Sequence, residues 1–317
     1  MTVRVYRSDD ASAPTLNGTV GSLIAVLDAC LVNGYGSKAA AGWAKAFSGT
    51  NLAAYRAASG IRHYLRVDDT AAQEARIIGY ETMTTDINGG ASPFPTSTQQ
   101  SGGLFVRKSN TADSTARPWM LISNGVFFYF LPFTGITALN GDVAASDIAG
   151  TFCFGEFISY KPGDAYSTII IGAIATGQSQ SVFGVTVSPT TWFAAPNGHF
   201  IARAYTQSGT SRTVTKMVPG DPHGATLMGG ASHPVYPDVV SGGIPLGPVE
   251  ILEPDGSNIP IQRGRLPGLW VPFVALPGSQ LDTFTCSGEL SGKTMTLMTV
   301  GNTSTLGRAA FETSDTW

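Results

Sequence analysis

The sequence predicts a mainly β protein, with antiparallel sheets arranged as a β-sandwich, one N-terminal amphipathic helix and long Gly/Pro-rich loops. Three observations predict this fold class: short apolar runs that end at turn residues, alternation of apolar and polar residues within several runs, and a single segment with helical periodicity. The chain of 317 residues contains 38 glycines and 19 prolines, which favour turns and interrupt helices.

The predicted helix covers residues 20–33. Its apolar side chains follow the spacing of a helix with one buried face. They are Val20, Leu23, Ile24, Leu27 and Leu31. Thr19 and Ser22 can accept hydrogen bonds from the free amides at its start, and Asn33-Gly34 can end it in a left-handed conformation. A lone helix in a β-rich chain needs a sheet or a partner chain to cover this apolar stripe.

Hairpins are predicted where two apolar runs flank a turn. The clearest joins Arg117–Ile122 to Val126–Phe130 through Asn124-Gly125, because Asn and Gly tolerate positive φ. The run Phe127–Phe130 does not alternate, so both faces of its strand are expected to be covered. Further predictions are a hairpin of Trp43–Phe47 with Leu52–Ala57, a strand over residues 75–83 with a bulge at Gly79, a loop over residues 85–100, and a strand over residues 282–286.

Two regions are predicted along the chain. Residues 1–176 form a β-rich domain that contains the helix, and residues 177–317 form a second β region with extended Pro/Gly-rich arms. Residues 219–248 hold six prolines and seven glycines, and prolines continue through residues 242–268, where each is expected to block a helix or a central strand. No linker marks the boundary, so a single domain stays open.

Charge and cysteine content exclude several function classes. Charged residues make up 13% of the chain, about half the roughly 25% of typical soluble domains, and the net charge is −3. Without a concentrated basic footprint, nucleic acid is not an expected partner. No apolar run is long enough to span a membrane, and the N-terminus lacks the apolar region of a signal peptide. Cys30, Cys153 and Cys286 are far apart, which predicts buried free thiols.

The sequence predicts no enzyme activity, no cofactor and no metal site. The adjacent acids Asp9-Asp10 and Asp68-Asp69 point to opposite faces of a strand, so neither pair makes an acid/base couple. Glu156 is the most interesting single carboxylate, because it lies within the apolar run TFCFGEFISY; it is interpreted first as an interface or surface position. The best metal candidate combines Asp221, His223, His233 and Asp238, yet its spacing matches no compact ligand pattern.

Several segments carry a family resemblance. They are Ser8-Asp9-Asp10 with Ala13-Pro14 leading into GTVGSLIAVLDACLVNGYGSKAAAGW, YLRVDD followed by ARIIGYETM and PFPT, RGRLPGLWVPF, and the closing TLGRAAFETSDTW. Together they resemble virion structural proteins of tailed bacteriophages, of the tail-associated or baseplate-associated kind. The resemblance implies a structural subunit that is assembled in many copies in the host cytoplasm, resides in the virion and performs no catalysis.

Two function classes follow from this resemblance. The first is an assembly component of the tail, baseplate or neck, with other virion proteins and copies of itself as partners. The second is a receptor-binding or glycan-binding module at the virion surface; a glycan-cleaving enzyme ranks third, because paired acids in a suitable setting are missing. Arginine and tryptophan are frequent interface anchors. The interface is therefore predicted at Arg263, Arg265, Leu266, Pro267 and Trp270, although a turn entering a core strand explains Leu266–Trp270 equally well.

Overall fold

The computed structural model describes residues 2–139, 151–173, 199–201, 216–219, 243–254, 260–272, 279–299, 308–314 and 316–317. Within these ranges the chain is mainly β, all strand pairs are antiparallel, and one short helix lies near the N-terminus. The predicted fold class is therefore confirmed.

The described strands form three sheets. In chain order they are β1 (Arg4–Arg7), β2 (Trp43–Gly49), β3 (Leu52–Ala57), β4 (Tyr64–Asp68), β5 (Glu74–Thr82), β6 (Ala91–Phe94), β7 (Leu104–Arg107), β8 (Trp119–Ser123), β9 (Phe127–Pro132), β10 (Phe152–Glu156), β11 (Ile158–Ser159), β12 (Thr168–Ile171), β13 (His199–Ile201), β14 (Lys216–Pro219), β15 (Leu246–Pro254), β16 (Pro260–Pro272), β17 (Thr283–Thr285), β18 (Thr294–Thr299) and β19 (Arg308–Glu312).

The central sheet has the strand order β1-β8-β9-β10-β12-β13 and is covered on both faces. Along β9, Phe127 and Tyr129 enter one hydrophobic cluster, whereas Phe128 and Phe130 enter another. Successive strand residues point to opposite faces, so a sheet between two other layers needs apolar residues at every position. The prediction that both faces of Phe127–Phe130 are covered is confirmed.

The helix-side sheet has the order β2-β3-β4-β5-β6, with β7 pairing with β5. It covers one face of the central sheet and shares its core with the helix. The helix begins as α1 (Ser22–Leu27) and continues as a π-helical stretch over Asp28–Asn33. Its apolar stripe is therefore covered within the subunit. In the described part of the chain, no helix has the length and apolarity needed to cross a membrane.

The helix lies close to its predicted bounds, but its buried face and its cap differ from the prediction. Val20 is 47% exposed, while Val26 and Cys30 are fully buried. Val20 precedes Ser22, the first helical residue. The buried side chains keep the i, i+3, i+4, i+7, i+8 spacing of one apolar face, and they are Leu23, Val26, Leu27, Cys30 and Leu31. The predicted caps at Thr19 and Ser22 were wrong, because both hydroxyls donate to Asn17 instead.

The outer sheet has the order β14-β15-β16-β19-β18-β17, with β11 also pairing with β16. Its inner face contributes Leu269, Val271, Met298 and Phe311 to the cluster that also holds Tyr129 of the central sheet. The two predicted regions thus share one core and a strand pair. The predicted boundary near residue 176 falls among residues outside the described ranges and stays a prediction.

The predicted effect of the prolines on the outer sheet was wrong. β15 and β16 carry Pro248, Pro254, Pro260 and Pro267, and β16 is flanked by β15 on one side and by β19 on the other. The proline positions coincide with strand ends or with irregular pairing, since the register shifts between Pro248 and Glu250. Proline is tolerated there because the regular ladder is already interrupted.

Two local predictions in the helix-side sheet were also wrong. The predicted loop over residues 85–100 contains β6, which pairs with β5. Gly79 is not a bulge, because its register with Leu65 is regular. The ring of Phe94 lies directly against Gly79, and an added Cβ would meet that ring at 2.3 Å. The glycine therefore provides space for an aromatic ring.

Candidate interaction surface

The five residues predicted as an interface lie on β16, in two different settings. Arg263, Leu266 and Pro267 are buried inside the chain, whereas Arg265 and Trp270 are half-buried. The three buried residues have internal partners, described next. The interface hypothesis stays a prediction, and its accessible part is Arg265 and Trp270.

Arg263 is held between two acids. Its Nη2 lies 2.7 Å from Asp164 Oδ2, its Nη1 lies 2.5 Å from Glu253 Oε1, and all three side chains are almost fully buried. Its guanidinium also lies 5.5 Å from the centre of the Phe157 ring. A buried guanidinium needs such pairing, because desolvation of an unpaired charge is costly. Arg263 therefore ties β15 and β16 to the loop that contains Asp164.

Leu266, Pro267 and the following glycine join the outer sheet to the central sheet. Leu266 belongs to the shared core, and the Pro267 carbonyl accepts a hydrogen bond of 2.8 Å from the Tyr129 hydroxyl. Gly268 has φ +62°, and a Cβ there would lie 2.2 Å from the Trp317 indole nitrogen. This stretch is therefore an internal joint between the two sheets.

Arg265 and Trp270 line an open groove of about 660 Å³ on the outer face of the outer sheet. Its apolar lining includes Ile244, Leu246, Pro248, Phe284 and Leu290. Beneath these half-buried side chains lie the buried Met295, Leu297 and Ala310. The groove is thus a half-exposed surface in which apolar side chains are mixed with the polar Arg265, Thr285, Ser287 and Glu289.

The polar rim of the groove is formed by side chains of neighbouring strands. The Arg265 guanidinium lies 5.9 Å from the centre of the Trp270 ring, and Arg265 faces Glu250 in the strand pair. The exposed Tyr160 hydroxyl lies 3.0 and 2.9 Å from the two carboxylate oxygens of Glu250. Partial burial and the nearby Glu250 raise the pKa of Tyr160 to about 12, so the phenol stays protonated at neutral pH. Glu289 is exposed at the groove.

Glu156 lies at the end of β10 and serves as an internal tie, contrary to its interpretation as a surface position. Its carboxylate accepts hydrogen bonds from the backbone amides of Ile61 and Arg62, which belong to the turn between β3 and β4. Burial raises the pKa of Glu156, and the two amides act in the opposite direction. The carboxylate thereby fastens the helix-side sheet to the central sheet.

The cavity beside Glu156 is too small for a substrate. It measures about 10 Å³, roughly the room for one water molecule, and Trp43, His63 and Thr168 also line it. The Nδ1 atom of His63 lies 2.9 Å from Thr168 Oγ1. Among the described lining residues, Glu156 is the only carboxylate, so the cavity lacks the second acid that glycan hydrolysis requires.

The adjacent acids have local or structural roles. Asp9 pairs with Arg7 at 2.6 Å, and Asp10 accepts a hydrogen bond of 2.8 Å from the Arg7 amide. Asp68 accepts from Thr70 in the following turn. Asp69 differs, because its buried carboxylate pairs with buried Lys108 and accepts from the amides of Leu23 and Ile24 at the start of α1. Asp69 is therefore the cap of the helix.

Metal and thiol chemistry receives no support from the described residues. They contain no group of three or more His, Cys, Asp or Glu that could hold a metal ion. The predicted candidates Asp221, His223, His233 and Asp238 lie outside the described ranges. All three cysteines are free; Cys30 and Cys153 are buried and Cys286 is half-buried. Burial raises the pKa of each thiol, which keeps it protonated and unreactive.

Sequence reasoning missed the partners of the predicted residues. Asp164, Glu250 and Glu253 were not singled out, although they meet Arg263 or Tyr160 in the structure. The two acids in VEILEP are separated by two apolar residues, and this pattern does not tell which arginine lies opposite them. The predicted strand over residues 282–286 is confirmed as β17, and its contribution of Phe284 to the groove was not foreseen.

A comparison of the chain with protein-family models and with curated proteins finds no match. The class of this protein is therefore described by its fold and its groove. In its described part, the chain is a mainly β protein of three stacked antiparallel sheets, with a helix in one core and an apolar groove on its outer face.

Proposed function

We propose that the protein is a structural subunit of a bacteriophage virion, in the tail, baseplate or neck, that acts through contacts with copies of itself and with other virion proteins. The observation that carries this proposal is the groove around Trp270 and Phe284, where half-buried aromatic side chains and Arg265 share an accessible surface with polar neighbours. Apolar, aromatic and arginine side chains are favoured at the centres of protein interfaces.

The treatment of charge in the chain supports the same role. Arg263 and Lys108 are buried against carboxylates and stiffen the fold, so these charges are used for structure. The low overall content of charged residues suits a protein that is surrounded by other protein. The segments that resemble tail-associated and baseplate-associated virion proteins favour the phage tail or baseplate as the assembly in question.

The proposal is tested by mass spectrometry of virions purified from the phage that encodes the chain. We expect the protein in intact particles at a copy number comparable to that of other minor structural proteins. Particles washed at high salt serve as the control for loosely attached host protein. Recovery of the chain only in the soluble fraction of the lysate, and never in particles, would refute a structural role.

The second candidate is binding of host surface glycan, which the aromatic lining of the groove favours. Trp270 and Phe284 offer ring faces on which a sugar can stack, and the groove has the volume of a small-ligand site. Titration of the protein with purified host polysaccharide tests this candidate. Binding that W270A abolishes and F105A preserves would favour the glycan role, because Phe105 packs under Arg76 on the helix-side sheet, outside the groove lining.

A further inference from the structure

Among the described strands of the outer sheet, β17 is the last one and has a neighbour on one side alone. It pairs with β18, where Cys286 N donates to Lys293 O and Leu297 N donates to Asp282 O, each at 2.8 Å. Hydrogen-bonded and non-hydrogen-bonded pairs alternate along an antiparallel ladder. The intervening Thr283 and Thr285 therefore direct their backbone N–H and C=O groups away from β18. Within the described ranges, no strand pairs with this outer edge.

The strand itself contains no residue that blocks pairing. Its sequence is Thr-Phe-Thr, without charge, proline or bulge, and both threonines are exposed. The edge strand β2 of the helix-side sheet contrasts with it, because β2 carries Lys45 and an irregular register between Lys45 and Phe47. Natural proteins block open edges with short edge strands, charges and bulges. The edge of β17 is limited by its length of three residues and by the exposed Asp282 before it, so it can accept a short partner strand.

We propose that β17 pairs with β17 of a second copy of this chain, antiparallel and across a two-fold axis at Phe284. This strand edge is complementary to itself. In that register, Thr283 lies opposite Thr285 of the second copy, and the outward N–H and C=O groups of both residues form hydrogen bonds. Because the axis is two-fold, each of these hydrogen bonds occurs twice, and the two Phe284 side chains become neighbours on one face of the joined sheet.

The pairing makes one continuous sheet from two outer sheets. Phe284 lines the groove, so the two grooves meet at the axis and form one longer apolar surface. A contact of two short strands is weak by itself and gains strength in an assembly of many copies. The biological purpose of this self-contact rests on the proposed assembly role, whereas its geometry rests on the edge of β17. The self-contact and the assembly role can therefore fail separately.

The full-length protein itself is the probe for the test, by sedimentation velocity over a range of concentrations. We expect a concentration-dependent dimer for the wild type. T285P removes one outward N–H from each copy without touching a hydrogen bond to β18, and should weaken the dimer about thirtyfold, the value of two hydrogen bonds. T285V keeps the N–H and the branched shape, and should dimerise like the wild type.

Hydrogen exchange supplies a second readout that requires no variant. In dilute wild-type protein, the amides of Thr283 and Thr285 should exchange fast while that of Phe284 is protected, and all three should be slow in the dimer. A wild type that stays monomeric at every concentration overturns the self-contact, as does a folded T285P that dimerises normally. Neither result removes the chain from virions, so particle mass spectrometry still judges the proposed function independently.

Discussion

Glu156 shows how one carboxylate can join two layers of the fold. It leaves the central sheet at the end of β10 and receives two backbone amides from a turn of the helix-side sheet. These amides would otherwise be partly buried without partners, which is costly. The side chain is thus required as an acceptor, whereas its negative charge is opposed by the burial that raises its pKa.

For Glu156 we predict opposite outcomes for two substitutions. Because the pKa of the folded state is raised, the folded protein binds this proton more tightly than the unfolded chain does, and this contribution to stability falls as pH rises from the ordinary pKa of glutamate through the raised pKa. E156Q keeps an acceptor and removes the charge, so it should be at least as stable as the wild type at neutral pH, with a flatter dependence on pH. E156A should lose about 1–3 kcal/mol.

Urea unfolding followed at acidic and at neutral pH measures both effects. E289Q is a suitable control, since Glu289 is exposed and its removal should leave the pH dependence unchanged. A strong loss of stability for E156Q at neutral pH would mean that the negative charge itself holds the turn. A neutral acceptor at position 156 would then not be sufficient.

At residue level, the sequence identified suitable side chains more readily than their partners. Arg263 was chosen because arginine suits planar, multidentate contacts, and it does make such contacts, but with Asp164 and Glu253 of its own chain. These partners are 99 and 10 residues away. Residue chemistry indicates what a side chain can bind, and only the path of the backbone decides whether the partner is internal. Arg265 and Trp270, which were predicted together with Arg263, remain half-buried at the groove.

At element level, the helix depends on a residue outside its own sequence. Asp69, which follows β4, accepts hydrogen bonds from the amides of Leu23 and Ile24 and pairs with Lys108. Lys108 also donates to the carbonyl of Thr19 at 2.8 Å. One buried ion pair thereby joins the start of α1 to the helix-side sheet, and burial raises the pKa of Asp69 while Lys108 acts to lower it.

We predict that D69N destabilises the protein by about 3–5 kcal/mol, because Lys108 would remain as a buried cation without its counter-charge. The amide side chain can still accept from the helix, so the loss is assigned to the charge. The double variant D69N/K108M should lose less than the sum of the single variants, which a double-mutant cycle from urea unfolding measures. Additive losses would show that the two side chains act independently.

The local elements were predicted best where neighbouring residues decide the structure. The hairpin around Asn124-Gly125 was foreseen, since turn chemistry and strand patterning lie within a few residues. The buried face of the helix includes the predicted Leu23, Leu27 and Leu31 but leaves out Val20, because the helix begins only at Ser22. Strand β15 and the first part of β16 were missed, because pairing with neighbouring strands outweighed the local cost of their prolines.

At the scale of the whole molecule, the central sheet decides the architecture. Its strands are apolar on both faces, and this property was readable in Phe127–Phe130. The sequence did not tell which elements cover each face, since the helix-side sheet comes from residues before β8 and the outer sheet, apart from β11, from residues after β13. Two hydrophobic clusters, one on each face of the central sheet, therefore bring together residues from distant parts of the chain.

This arrangement predicts that the three sheets unfold together. Leu269 of the outer sheet lies in the same core as Tyr129 of the central sheet, so L269A should cost about 2–5 kcal/mol and lower the protection of both sheets equally. Hydrogen exchange of peptides from β3, β9 and β18 in increasing urea measures this coupling. I261A on the same strand is the control, because Ile261 is 43% exposed and its loss should change little.

If β18 lost protection at lower urea than β3 and β9, the outer sheet would be a separate folding unit, and the predicted boundary near residue 176 would gain support. Coincident loss in all three peptides would instead mean that the central sheet binds both regions into one cooperative unit.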